Sequence, residues 1–221
     1  MIEFVAENEE IEIKAYDPET TLVDLVEALE AFRLTCPLKT IDCKGCGDCC
    51  SDNIPVLGFD LQVLQEGLGI GFEHAAKRIL TLPDKPDIPA RRKAIREMSE
   101  AASITGLEAT LLYEYNNAEP LILAKQNDGT CCFLKNRLCS EYMIRPYSCG
   151  LYLCNMGERL SYLQEMIIRQ GTWHAYHKLG WIEEGDISHN PFLKAGTYRE
   201  LRLADFDFNL GNTLDQLFFY F

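Results

Sequence analysis

The chain has 221 residues, of which 47% are apolar and 25% charged, a balance that lets it bury one generous core. A formal net charge of −13 repels nucleic acid and anionic membrane surfaces at long range, so a nucleic-acid module is not expected. That leaves ten cysteines to be explained.

No apolar run approaches the ~20 residues needed to span a bilayer. The start, "MIEFVAENEE", is acidic and lacks both the basic region and the apolar stretch of a secretory signal. A cytoplasmic protein is therefore expected. In a reducing compartment structural disulfides do not persist, so the cysteines point to metal ligation or redox chemistry.

In chain order, residues 2–6 and 11–16 alternate apolar and polar positions around "ENEE", which predicts a hairpin with one face buried. Thr21 and Asp24 form a capping-box pattern ahead of a helix whose apolar stripe runs through Leu22, Val23, Leu25, Val26, Leu29, Phe32 and Leu34 to Cys36-Pro37. After the first cysteine run, "IPVLG" predicts a short strand and "DLQVLQEGLG" a helix capped by Asp60. "FEHAAKRIL" predicts another helix, and "GLGIG" is the turn between the two rather than a nucleotide-binding loop, because it follows a helix. The proline-rich "LPDKPDIP" marks the strongest internal boundary. Beyond it come a helix in "ARRKAIREMSEAAS" and strands in "ATLLYEY" and "PLILAK", then a turn at Asp128-Gly129 that opens the second cysteine run. Residues 158–181 read as helical, and the segment from residue 198 mixes strand-like alternation with the aromatic terminus "LFFYF". The expected architecture is a single α+β domain over residues 1–221. It comprises an N-terminal hairpin plus helix (1–35), an irregular cysteine-rich metal-bound core (36–154) and a helical and strand extension (155–221).

The chemistry sits in two runs, "CKGCGDCC" and "CCFLKNRLCSEYMIRPYSCGLYLC". Cys43, Cys46 and Cys49 repeat at a spacing of three, which lets a tight turn converge successive sulfurs on one centre. Cys50 is adjacent to Cys49, and neighbouring side chains usually diverge, so it reaches a second centre or packs. A structural zinc and a cubane iron-sulfur cluster each take four ligands. The two runs offer nine thiols, enough for two centres or for one with spares. The expected ligands are Cys43, Cys46, Cys49 and Cys50 with Cys131, Cys139 and Cys149; Cys36, Cys132 and Cys154 read as core thiols. Phe133, Leu134, Tyr142 and Tyr147 are expected to wall the metal from water. Lys39, Lys44, Lys135, Arg137 and Arg145 bring positive charge beside the thiolates. Arg145 is assigned either a supporting role, donating to a cysteine carbonyl or sulfur, or a bond to a helix end. His174 and His177, set among aromatics, read as half-buried structural residues rather than nitrogen ligands.

The ordered set Cys43, Cys46, Cys49, Cys50, then Cys131, Phe133, Leu134, then Cys139 and Tyr142, then Arg145, Pro146 and Cys149 resembles the CxxCxxCC cysteine-cluster family. The resemblance covers residues 43–154 and implies zinc or iron chelation, often as an iron-sulfur protein. An iron-sulfur cluster of the 4Fe-4S type is the first expectation, since the opening spacing matches bacterial ferredoxin ligation. Its role would be electron transfer or redox chemistry with a protein partner. A zinc-binding structural or carrier module is the alternative, supported by the lack of any substrate or nucleotide fingerprint. Some proteins with this pattern are similar to flagellin lysine methylases, but no methyl-donor fingerprint is present here.

Overall fold

The computed structural model describes residues 2–7, 9–35, 47, 49–153 and 155–207. The expected hairpin forms from β1 (Ile2–Glu7) and β2 (Glu10–Tyr16), antiparallel with Glu7 opposite Glu10. Alternation sends Ile11 and Ile13 inward and leaves Glu10 and Lys14 in solvent. Helix α1 (Leu22–Thr35) starts at the predicted capping box: Thr21 N–H donates to the Asp24 carboxylate at 2.8 Å and Asp24 N–H to the Thr21 hydroxyl at 3.1 Å. Leu22, Leu25 and Leu29 are buried, whereas Leu34 at the end of the predicted stripe is 89% exposed.

Helix α2 (Gly58–Leu68) begins two residues before Asp60, so Asp60 lies inside its first turn and accepts from Leu57 N–H at 2.9 Å. Gly69, at φ 63, closes α2 in the left-handed conformation and opens the predicted turn to α3 (Phe72–Arg78). Helix α4 (Ile88–Ala102) is capped by Asp87, which accepts from Ala90 N–H at 3.0 Å.

The predicted strand at "ATLLYEY" is instead part of helix α5 (Gly106–Asn117). Its start is a second capping box, Thr105 with Glu108. Its inward positions Ala109, Leu111, Leu112 and Glu114 follow a helical period. Tertiary packing overrides the local richness in β-formers.

Three short strands, β3 (Pro55–Val56), β4 (Leu80–Thr81) and β5 (Leu121–Leu123), pair antiparallel in the order β3-β5-β4. A second hairpin joins β6 (Leu134–Lys135) to β7 (Leu138–Cys139). Its two-residue turn puts Asn136 and Arg137 at φ 50 and 63, the signs a type I′ turn requires. Helix α6 (Tyr147–Leu151) follows, then the long α7 (Glu158–Lys178). Residues 184–206 make 3-10 turns, and among the described residues the expected strand character after residue 198 amounts to one bridge, Thr21 with Arg202. The "LFFYF" terminus lies outside the described residues.

Two hydrophobic clusters fill the α+β fold, and α7 serves both. Leu160, Leu163, Met166 and Ile167 pack with the first hairpin, α1, α6 and Phe206. One to two turns further on, Trp173, Ala175 and Tyr176 pack with β3, β4, β5 and the second cysteine run. The start of α7 has no side-chain cap at Gly157. Glu12 supplies one from the hairpin, accepting from Arg159 N–H at 2.9 Å and Leu160 N–H at 2.8 Å. Backbone bonds of 2.7 Å from Ile11 N–H to the Asn155 carbonyl, and from Gly157 N–H to the Ile11 carbonyl, fix the same junction.

Candidate metal centre

The end of the first cysteine run is a 3-10 turn, Cys49–Ser51, entered from Gly47 at φ 76. Gly47 lies against Leu134 of β6: a methyl group built on it would sit 3.7 Å from the Leu134 side chain. The two runs join through main chain as well. Cys131 N–H donates to the Cys50 carbonyl at 2.7 Å, and the Lys125 ammonium donates to the Ser51 carbonyl. Two further links clamp the same strip: Tyr152 hydroxyl to Asp52 at 2.8 Å and Ser148 hydroxyl to the Pro55 carbonyl at 2.7 Å.

Within the second run, Gln126 donates to the carbonyls of Cys131 and Leu134, each at 2.8 Å, which closes the loop around the Asp128-Gly129 turn. Cys139 sits on β7 opposite Leu134. Arg145 ends the preceding 3-10 turn, Pro146 leads into α6, and Cys149 rides on that helix. Cys131 is buried; Cys49, Cys50, Cys132, Cys139 and Cys149 are half-buried. Cys50, Cys132, Cys139 and Cys149 pack against the same cluster as Cys131 and Phe133.

Electrostatics ties these thiols together. The adjacent thiols act on each other, which pushes Cys131 up and draws Cys132 down, with burial adding to the rise at Cys131. Burial also raises Cys139 and, strongly, Cys149, and nearby negative groups (Cys131 for both, Asp60 and Cys49 for Cys149) add to it. The Arg145 guanidinium pulls both the other way. These are thiols whose thiolate forms repel one another across a partly dry space, and a cation relieves that repulsion by displacing their protons.

The expected wall is corrected in part. Phe133 is buried and Leu134 half-buried beside the cysteines, with Ile144 joining them. Tyr142 is 44% exposed under Arg145, whose guanidinium lies 4.1 Å from the ring centroid. Tyr147 turns into the other cluster, where its hydroxyl donates to the Leu22 carbonyl at 2.6 Å and its ring stacks on Tyr198. Arg145 pairs with Glu30 of α1, an anchor that spacing alone did not reveal. Lys135 and Arg137 are exposed. Cys36, Lys39, Cys43, Lys44, Cys46 and Cys154 lie outside the described residues. Among the described residues, no three His, Cys, Asp or Glu side chains converge tightly enough to hold a metal ion.

Asp60 is a residue of this neighbourhood that sequence reasoning treated only as a helix cap. Fully buried, it accepts from Tyr147 N–H at 3.0 Å and from the Tyr198 hydroxyl at 2.8 Å in addition to Leu57. Burial pushes its carboxyl up to about 6 against the pull of those three bonds. It thereby fixes the start of the helix that carries Cys149.

His174 is 1% exposed, seated between Phe59 and Phe192, with Nδ1 against Gly58, where a β-carbon would come within 2.1 Å. His177 faces the Ile182 carbonyl at 3.4 Å. His174 is thus more deeply buried than the half-buried position expected of it, and its surroundings are aromatic.

The described donors are thiols, which as soft ligands suit zinc or iron-sulfur chemistry rather than magnesium or calcium. The site chemistry therefore fits a thiolate-bound metal. The CxxCxxCC family model, described as "Putative zinc- or iron-chelating domain", matches residues 42–167, more than half of the chain. No curated protein and no solved structure matches it.

Proposed function

The chain belongs to the CxxCxxCC family, and on that premise we propose that it binds an iron-sulfur cluster of the 4Fe-4S type between its two cysteine runs and passes electrons to a protein partner. Four thiolates drawn from Cys43, Cys46, Cys49 and Cys50 with Cys131, Cys139 and Cys149 hold it. The observation that carries this reading is the 2.7 Å bond from Cys131 N–H to the Cys50 carbonyl, which joins runs some eighty residues apart in the chain. The C-x2-C-x2-C opening of the first run supports iron-sulfur over zinc.

The bound cluster supplies one-electron chemistry. Phe133, Leu134 and Ile144 keep water from one side of the thiols. Arg145 balances negative charge near Cys139 and Cys149 and is itself held by Glu30, so its position is set before the thiolates form. Gln126 and Asp60 fix the two backbone segments that present Cys131 and Cys149. The cytoplasm is the proposed location, consistent with the absence of a helix long and apolar enough to cross a membrane among the described residues.

The test is the ultraviolet-visible spectrum of protein purified without oxygen, recorded before and after dithionite. A brown protein whose broad absorption bleaches on reduction is the expected result. A colourless protein carrying stoichiometric zinc would overturn the iron-sulfur assignment and make the chain a zinc module.

A further inference from the structure

We propose that the tip of the second hairpin, with the 3-10 turn Tyr142–Ile144 that follows Cys139, is the docking surface for the electron-accepting partner, and that this partner is a protein with an acidic face. The proposal rests on the redox reading above and adds where the contact lies and what chemistry recognises it. Among the described residues, Leu138, Tyr142 and Met143 are 57, 44 and 91% exposed, three large apolar side chains within six residues. The other exposed large apolar side chains, Leu34, Val63, Leu82 and Leu107, stand singly along the chain, as surface apolar residues ordinarily do. Tyrosine and methionine beside arginine are residue types that protein interfaces favour.

Charge names the partner. Residues 134–145 carry Lys135, Arg137 and Arg145 against one carboxylate, Glu141, in a chain whose formal net charge is −13. Arg145 is committed to Glu30, and Lys135 and Arg137 are both exposed. An acidic protein is repelled by the charge of the chain as a whole and attracted at this spot, which orients the encounter. The spot is also held in place before any partner arrives. Ser140 N–H donates to the Phe133 carbonyl at 2.8 Å, and Ile144 N–H to the Glu141 carbonyl at 3.1 Å. Ile144 packs where Gly67 of α2 has no side chain, since a β-carbon there would come within 2.6 Å of it. That contact anchors the turn while Tyr142 and Met143 remain in solvent. A surface ordered in advance loses little freedom on binding. Cys139, one of the proposed ligands, directly follows Leu138 in the chain, so an electron leaving the centre by that thiolate emerges inside the patch.

The experiment uses the full chain carrying its cluster, reduced with dithionite, freed of excess reductant and mixed with oxidised flavodoxin, an acidic flavin protein, as the probe. One electron leaves the reduced cluster and, with a proton from water, converts the flavin to its neutral semiquinone, whose blue absorption reports the rate. The rate is expected to fall at least about tenfold from low salt to about 0.5 M salt. Lys135→Glu with Arg137→Glu should slow it at least about tenfold at low salt, with the cluster spectrum and its bleaching by dithionite unchanged. Leu138→Ser with Met143→Ser should slow it with the salt dependence retained. Carbodiimide should join Lys135 to a flavodoxin carboxylate. A rate indifferent to salt or to the charge reversal would overturn the docking surface, as would cross-links confined to other lysines or joining two copies of this chain. A cluster that bleaches with dithionite but does not reduce flavodoxin sinks this proposal alone. A protein with nothing to bleach sinks the redox reading and the proposal with it.

Discussion

The two hydrophobic clusters are built on different physics although one helix serves both. The first, around Leu25, Leu29, Leu163 and Ile167, is aliphatic and aromatic, and each of these side chains is fully buried against carbon. Burying such a side chain stabilises by about 1.5–3 kcal/mol without help from any ligand. Along one side of the second cluster, five cysteines, Cys50, Cys131, Cys132, Cys139 and Cys149, stand where the first has leucines. Thiols pack as small hydrophobes but fill little volume, and their ionised forms repel. The first cluster is therefore expected to hold on its own, and the second to depend on a bound cation.

The largest effect should come from removing that cation. Chelation, or Cys139→Ser, is expected to release the metal and cost the second cluster several kcal/mol. The readout is specific, because both tryptophans, Trp173 and Trp181, belong to that cluster. Their emission should shift red and unfold at lower denaturant. Unchanged tryptophan unfolding after verified metal loss would erase the distinction between the clusters.

Next in size is the buried pair that borders the second cluster. Arg91 and Glu114 are 3% and 0% exposed and 2.6 Å apart, and Gln170 and His189 also donate to Glu114. Glu114→Ala leaves Arg91 charged and unpaired beneath Trp173, an expected loss of about 3–5 kcal/mol in chemical denaturation. Replacing both partners, Arg91→Met with Glu114→Leu, should recover most of it. A double variant as unstable as the single one would mean that the remaining donors, not the lone cation, set the cost.

A pH experiment probes the seam between the clusters. Burial lowers His174 to about 3, so the folded state rejects a proton that the unfolded chain takes up near 6.5. Its contribution is complete above pH 6.5 and drains away as pH falls towards 3, amounting to a few kcal/mol. Asp60, raised to about 6, works in the opposite sense and adds stability as pH falls from about 6 towards 4. Subtracting the profile of His174→Phe from that of the wild type should leave a difference that declines steadily below pH 6.5. A flat difference would show that the imidazole is protonated in the folded state.

The smallest effect lies in the turn of the first hairpin. Glu9 turns the first hairpin at φ 68, a conformation that costs a residue with a β-carbon about 1 kcal/mol. Glu9→Gly should raise the unfolding midpoint by up to that amount, with or without metal. A metal-dependent gain would connect the hairpin to the second cluster more tightly than the packing suggests.

Elements whose signals are local were legible in the sequence. The hairpin followed from alternation at Ile11 and Ile13, and α1 from Thr21 and Asp24. Helix α5 was not, because Thr110, Leu111, Tyr113 and Tyr115 favour a strand locally and only partners distant in sequence, Arg91, Gln170 and His189, explain an inward Glu114. That the two cysteine runs meet, as they do where Cys131 N–H reaches the Cys50 carbonyl, was expected from spacing and from the family pattern. Asp60 was hidden, since its second and third partners, Tyr147 and Tyr198, lie 87 and 138 residues away in sequence.

The bond between Cys131 and Cys50 carries a consequence for synthesis. A ribosome adds roughly 5–20 residues per second, so the cysteines of the first run emerge roughly 4–16 s before their partners exist. During that interval they are an open set of nucleophilic thiols, exposed to oxidants and to whichever soft metal is most available. Growth under peroxide or copper excess should therefore harm the newborn chain far more than the finished one, whose runs are already joined.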